Sequence, residues 1–374
     1  MNAKEISELR RRFRADRSNI SRVCGCFVNE QKEIISEFDQ SLGMMSEDDA
    51  EQVLKTFKRT LSGTVGRKLF DIEFSTQQVL EGEEHLLLSK LRESRLQDTE
   101  AVRALYQKII GSLEIEGNFL ILLAADSYDV FSYAADGEQS ETSDEVFHYV
   151  MCSICPIKEG KVALSYYLPG NCFRSIGADS VLSYPTLGFL FPAFDDRTTN
   201  IYGALYYTRD LTDNHKELVD ALFASPLPMP AVEQKETFGH ILEETMAEEC
   251  SLRVVRAVHG QIAQRIAEHK AEKIDEPLVM TKSDAGDMLR FCGMDEEKVT
   301  AFEVKFEEAF GTDATLTPAN IADKKKMQVK MPDVEIKIAS ECADLVETRV
   351  IDGAKYVMIR TDGDVTVNGV RIKI

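Results

Sequence analysis

The spacing of apolar positions along this chain changes several times, and each change marks a different element. Ile6, Leu9 and Phe13 recur at intervals of three and four, which puts them on one face of an opening helix. The pattern then changes: residues 20–28 and 32–40 are rich in β-formers and predict two strands joined in a hairpin at Asn29-Glu30-Gln31. At Ser46 it turns helical again. Ser46 supplies a cap, Glu47, Asp48 and Asp49 an acidic first turn, and Val53, Leu54, Phe57 and Leu61 a single apolar stripe. A strand over 68–74 and helices over 75–95 and 98–113 follow, the last carrying Val102, Leu105, Tyr106, Ile109 and Ile110 on one side. Strand-like runs then dominate, at 118–125, 129–134, 146–157, 162–167, 186–194 and 201–208, before a closing helix over 214–224. The composition of residues 135–144, ADGEQSETSD, predicts an exposed loop among them. Most of these strands are separated by connections of hairpin length. Parallel neighbours would each need a crossover helix, so a mostly antiparallel sheet is expected.

Pro226, Pro228 and Pro230 fall close together and preclude continuous helix, so residues 225–234 read as a linker. Before it lies one α+β domain, residues 1–224. After it, residues 235–374 begin with helical periodicity over 236–246, 250–273, 283–292 and 296–310, with Gly293 and Gly311 at the stops of the last two. The final stretch changes character. Short apolar runs at 329–330, 334–338, 347–351, 355–360, 365–367 and 370–374 alternate with Asp352-Gly353, Asp362-Gly363 and Asn368-Gly369, dipeptides that favour tight hairpin turns. The expected fold class is α+β: an N-terminal, mostly antiparallel sheet with helices, then C-terminal helices followed by a small β-meander packed on them.

Composition narrows the classes of function. A chain of 374 residues, 44% hydrophobic and 29% charged, has enough apolar material for two cores. No apolar run reaches the ~18 residues of a membrane span, and the N-terminal stretch MNAKEISELRRRFRADR lacks the apolar segment of a secretory signal. A cytoplasmic protein with no membrane partner is expected, its eight scattered cysteines reduced. The 44 basic and 64 acidic residues give a net charge of −20, which opposes non-specific binding to phosphate backbones. That charge is unevenly placed: residues 1–22 hold 7 basic and 3 acidic side chains, whereas residues 113–240 hold 7 and 19. Arg10, Arg11, Arg12 and Arg14 therefore have two readings, a phosphate-contacting arm or partners for the acidic body.

Candidate chemistry is sparse. Cys152 and Cys155 have the C-x-x-C spacing of a zinc knuckle or a redox dithiol. They sit within the strand predicted over 146–157, however, where residues an odd number apart point to opposite faces. The two thiols are expected to diverge, with neither a shared metal nor a disulfide. Cys24 and Cys26 share a face, but no further ligand lies near them in sequence. None of the six histidines stands at metal-ligand or hydrolase spacing from another; His259 and His269 are roughly 15 Å apart along one predicted helix. Asp195-Asp196-Arg197 reads as a turn with a local ion pair, and Glu243, Glu244, Glu248 and Glu249 as a solvated helix face. The chain has no G-x-S-x-G, H-E-x-x-H, phosphate loop or G-x-G-x-x-G. No catalytic residue, cofactor or metal site is assigned. Lys324, Lys325 and Lys326 form a second basic cluster, which Lys330 and Lys337 extend into a stripe along one edge.

Three segments, EIISEFDQSL at 33–42, FHYVMCSICPIK at 147–158 and GAKYVMIRTDGDVTVNGVRIKI at 353–374, together resemble a bacterial family of unknown function over nearly the full length. That resemblance implies a bacterial, cytoplasmic origin and brings no activity with it. Ala104-Leu105-Tyr106 ahead of the strand at 118–125, with a strand, acidic helix and meander over 334–374, is similar in pattern to bacterial nucleoid-associated proteins of the 37-kilodalton type. This second resemblance implies DNA binding, which the acidic body opposes. The favoured expectation is a non-catalytic interaction or scaffold protein, with an unidentified protein partner or a second copy of itself. The alternative is a nucleoid-associated DNA binder that contacts nucleic acid through Arg10, Arg11, Arg12, Arg14, Lys324, Lys325 and Lys326. An enzyme with a site assembled from distant residues is the third class; it would show as a pocket of acids, a histidine or Cys172 with displaced pKa values.

Overall fold

The computed structural model of the chain describes residues 1–133, 139–159, 163–176, 180–274, 276–322, 326–361, 363–367 and 369–373. Its first unit holds residues 1–230 and 275–277, and its second holds residues 231–274 and 278–374. The first opens with α1 (Ala3–Arg12), capped by Asn2, whose side chain accepts from the backbone N–H groups of Lys4 and Glu5. In chain order there follow β1 (Arg22–Val28), β2 (Ile34–Ser41), α2 (Glu47–Thr60), β3 (Leu69–Glu73), α3 (Thr76–Glu81), α4 (Glu83–Glu93) and α5 (Thr99–Ser112). The strands β4 (Phe119–Tyr133), β5 (Gln139–Glu159), β6 (Ala163–Tyr167), β7 (Cys172–Ile176), β8 (Ser180–Leu182), β9 (Leu187–Phe191), β10 (Ala193–Asp195), β11 (Thr198–Asn200) and β12 (Gly203–Thr208) lead to α6 (Lys216–Phe223). Eight strands form one sheet in the order β2-β1-β4-β5-β9-β12-β3, with β8 beside β5, and every pairing in it is antiparallel, as expected.

Helices cover both faces of this sheet. On one side Leu91 of α4, Leu105 and Ile109 of α5 and Phe223 of α6 pack with Ile121, Leu123, Cys152 and Ile154. On the other, Leu9 of α1 and Leu54 and Phe57 of α2 pack with Leu122, Met151, Cys155 and Leu205. Successive residues of β4 and β5 thus enter different cores, which explains why these strands read as near-continuous apolar runs rather than as alternating ones. Cys152 and Cys155 diverge as expected, one into each core, and both are fully buried. Burial pushes both thiols up, Cys155 to about 12. Cys24 and Cys26 lie on the same side as Cys152.

Several boundaries differ from expectation, each for a physical reason. The two strands expected over 118–125 and 129–134 are one strand, β4, over Phe119–Tyr133, because the polar break at Asp126 is satisfied in place; residue 134 lies outside the described residues. Its carboxylate accepts from the Tyr149 hydroxyl at 2.7 Å and from the backbone N–H groups of Ser127 at 2.8 Å and Asn19 at 3.2 Å. The loop expected over 135–144 gives way to strand from Gln139, where β5 pairs with β4; residues 135–138 lie outside the described residues. The run at 186–194 divides into β9 and β10 at Pro192, which has no N–H for the ladder.

In the second unit, α7 (Ala231–Met246) begins directly after Pro230, so four residues placed in the linker by composition are helical. α8 (Leu252–Glu272), α9 (Lys282–Phe291), α10 (Glu296–Phe310) and the short α11 (Pro318–Ile321) complete a helical core around Phe238, Val258, Ile262, Leu289, Phe302 and Phe306. The chain then forms β13 (Lys326–Met331), β14 (Val334–Ala339), β15 (Val346–Ile351), β16 (Ala354–Ile359), β17 (Val365–Val367) and β18 (Val370–Ile372), paired as three successive antiparallel hairpins. Asp352 and Gly353 both take positive φ, +50° and +81°, as the tight turn between β15 and β16 requires. Asp362 and Asn368 of the other two predicted turns lie outside the described residues. Among the described residues, no helix is long and apolar enough to cross a membrane.

Candidate anion-binding cleft

Two amphipathic patterns of the second unit build its most distinctive feature. α8 is capped by Ser251, whose hydroxyl accepts from the N–H of Val254, and turns Val254, Val258, Ile262 and Ile266 into the helical core. The neighbouring stripe, Val255, Arg256, His259, Gly260 and Ala263, lines a cavity of about 840 Å³. Opposite it stands the β13–β14 hairpin. Along β13, half-buried Met327, Val329 and Met331 alternate with exposed Lys326, Gln328 and Lys330. Lys337 of β14 is the cross-strand partner of Gln328, so it shares the lysine face. Lys326 and Lys330 are about 13 Å apart along the strand, with Lys337 between them.

Lys235 of α7, Arg256, Lys326, Lys330 and Lys337 all line this cleft, against one carboxylate, Asp344. Arg256 is fixed in place, its guanidinium donating to the Ala343 carbonyl at 3.0 Å. Lys337 pairs with Glu335 at 3.0 Å, and Lys330 faces the same residue across the hairpin. His259 is held neutral: burial lowers its pKa, and the charge of Lys235 lowers it further. Gly260 sits inside the 21-residue helix α8, and a methyl group added there would meet nothing within 4 Å. The floor of the cleft is therefore open in front of it. Such a site can hold an anion and carry an apolar group beside it.

The other residues singled out by sequence have different surroundings. Lys326 lines the cleft, whereas Lys324 and Lys325 lie outside the described residues. Arg10, Arg11, Arg12 and Arg14 belong to the first unit, where Ile6, Leu9 and Phe13 are buried as their spacing requires. The Arg12 guanidinium lies over the Tyr128 ring at 4.2 Å and donates to the Arg17 carbonyl, and Arg14 pairs with Asp16 at 3.1 Å. Asp196 and Arg197 form the turn between β10 and β11, and Arg197 pairs with Glu8 of α1 at 3.0 Å. Glu244 and Glu249 are bonded to Lys305 and Lys298 of α10. Among the described residues, no three His, Cys, Asp or Glu side chains are grouped to hold a metal.

Sequence reasoning missed Lys235, Arg256 and Gly260, and weighed His259 only as a metal ligand. The one local signal was a glycine in the interior of a long helix, a position that disfavours glycine by ~1 kcal/mol relative to alanine and so invites a packing or ligand reason.

An α+β chain with a core on each face of its sheet, a third helical core and a basic cleft matches, over residues 1–370, the family described as Domain of unknown function (DUF4317). The chain belongs to that family. No curated protein and no solved structure matches it.

Proposed function

We propose that this is a cytoplasmic binding protein whose C-terminal unit takes the phosphate backbone of nucleic acid in the α8–hairpin cleft. The observation that carries the reading is the convergence of Lys235, Arg256, Lys326, Lys330 and Lys337 on one cavity, in a chain whose net charge is −20. At physiological salt the Debye length is ~8 Å, shorter than the spread of these lysines, so a bound strand feels the local cations more than the acidic body. A binding role rather than a catalytic one is supported by the thiols: burial holds Cys24, Cys26, Cys152 and Cys155 away from the reactive thiolate. The test is retention of a labelled 20-nucleotide strand by the full chain over a salt titration. Each lost phosphate contact lowers the slope of log K against log salt by about 0.7 on a single strand, so replacing Lys326, Lys330 and Lys337 together by alanine reduces it by up to about 2.1. No retention of single or double strands by the unmodified protein in about 50 mM salt refutes the reading.

A second reading, an interaction or scaffold protein, is favoured by the β15–β16 hairpin. Val350 is 68% exposed and Ile359 55%, and both strands present open edges. Here the occupant is a second copy of the chain. Light scattering that gives a doubled mass with rising concentration supports it, and a monomer throughout refutes it.

A further inference from the structure

The cleft has two chemistries, and only one of them suits phosphate. Its cations stand on the hairpin face, on α7 and at Arg256, whereas Val255, Gly260, Ala263 and Met327 give the rest of the lining an apolar character. A site made for phosphates alone has no use for an apolar floor. Its volume, about 840 Å³, falls in the range of ~300–1,000 Å³ that encloses a small organic molecule, the size class of one nucleotide. In a duplex the bases are stacked inside and only sugar and phosphate can reach such a cavity. An unpaired base is free to turn in, lay its face on the floor and leave its phosphate among the lysines.

Gly260 decides whether that floor is reachable. It is the one residue of the α8 stripe with no side chain, and the space where a Cβ would stand is empty to 4 Å. Ala263, three residues on, keeps the same face shallow. His259 stands between Arg256 and Gly260 as a neutral imidazole, with one nitrogen to donate and one to accept at a base edge. Among the described residues no Phe, Tyr or Trp lines the cavity, so a base lies on aliphatic surface, and the cations that hold its phosphate carry no sequence information.

We propose that the cleft selects unpaired over paired nucleotides and that Gly260 is the residue that admits the base, an inference resting on the phosphate-binding reading above. The experiment compares a labelled 20-nucleotide single strand with the duplex of the same sequence on the full-length protein, by fluorescence anisotropy in about 50 mM salt. DNA and RNA strands are run in parallel, and the tighter identifies the source of the ligand. The expected result is at least tenfold tighter binding of the single strand, with Gly260→Leu removing that advantage over the duplex. Gly260→Ala, which favours the helix and adds one methyl group, gives a smaller loss in the same direction and guards against a leucine variant that fails to fold. Equal affinity for single strand and duplex, or a loss in both alike on Gly260→Leu, overturns the selection and leaves phosphate binding standing. Absence of binding to either form overturns both.

Discussion

Replacing Tyr149 by phenylalanine tests how a carboxylate is tolerated in the middle of β4. Asp126 is 6% exposed, and its two oxygens accept three hydrogen bonds, of which the one from the Tyr149 hydroxyl, at 2.7 Å, comes from a side chain. Phenylalanine keeps the ring that stacks on Phe147 at 4.9 Å, so the change removes the donor and almost nothing else. A hydrogen bond to a charged group contributes about 1.5–3 kcal/mol. For a unit of this size, each kcal/mol moves the melting temperature by roughly 2–4 °C, which gives an expected fall of about 3–12 °C at neutral pH. The deficit depends on pH in a defined direction. Burial raises the Asp126 pKa above the ordinary aspartate value, while Tyr149, Ser127 and Arg12 oppose that rise. A raised carboxyl contributes stability that is complete below its unfolded pKa and is lost as pH rises through the folded one. Losing the phenol raises the folded pKa further, so the deficit widens towards neutrality and narrows on acidification through that window. Thermal melts of wild type and Tyr149→Phe, followed by circular dichroism at about pH 5 and pH 7, measure both effects. A variant that melts within about 1 °C of wild type at pH 7, or an equal deficit at both pH values, refutes the account.

Three further outcomes are expected. His259 shares the cleft with Lys235 of α7, Arg256 of its own helix, Lys326 and Lys330 of β13, Lys337 of β14 and Asp344, and burial, then the charge of Lys235, lowers its pKa below the ordinary imidazole value. A bound phosphate raises that pKa, so strand affinity increases as pH falls through the histidine range, by at most about tenfold per unit for one proton taken up; His259→Gln flattens the profile, and an unchanged profile refutes the link. Arg12→Ala, which removes a cation from the face of Tyr128, lowers the stability of the first unit by about 1–2 kcal/mol and leaves strand binding intact; a loss of binding with normal melting would instead make the N-terminal arginines the contact surface. Cys172, the exposed thiol, reacts with a maleimide within minutes in the folded protein, while Cys24, Cys26, Cys152 and Cys155 react only after unfolding. Mass spectrometry of the labelled peptides decides it, and early labelling of Cys152 or Cys155 would contradict the two-core sheet.

Whatever depends on neighbours in the chain could be read before any coordinates. The cap at Ser46, the stripe through Leu54, Phe57 and Leu61, the stops at Gly293 and Gly311, the Asp352-Gly353 turn and the divergence of Cys152 from Cys155 follow from local rules of period, capping and positive φ. The basic stripe was legible only as a clustering of Lys326, Lys330 and Lys337; strand was expected at 329–330 alone, and it is the longer β13, Lys326–Met331, that puts Lys326 and Lys330 on one face. Tertiary structure decided the rest. Asp126 interrupts an apolar run, and only the arrival of Tyr149 from β5 and the backbone of Asn19 makes the position strand rather than turn. That Cys155 is as buried as Cys152 required α1 and α2 to cover the second face of the sheet. The cleft is the clearest case: Lys235, Arg256 and Lys330 lie on three separate elements, and Gly260 is unremarkable until a hairpin stands opposite it. Local propensity acts over a few residues, where sequence spacing is spatial spacing. Convergence of charge is set by how helices and hairpins pack: burial of Phe238, Val258, Ile262 and Phe302 fixes the helices that carry Lys235 and Arg256, and no rule of spacing or capping reaches from there to the lysines of the hairpin.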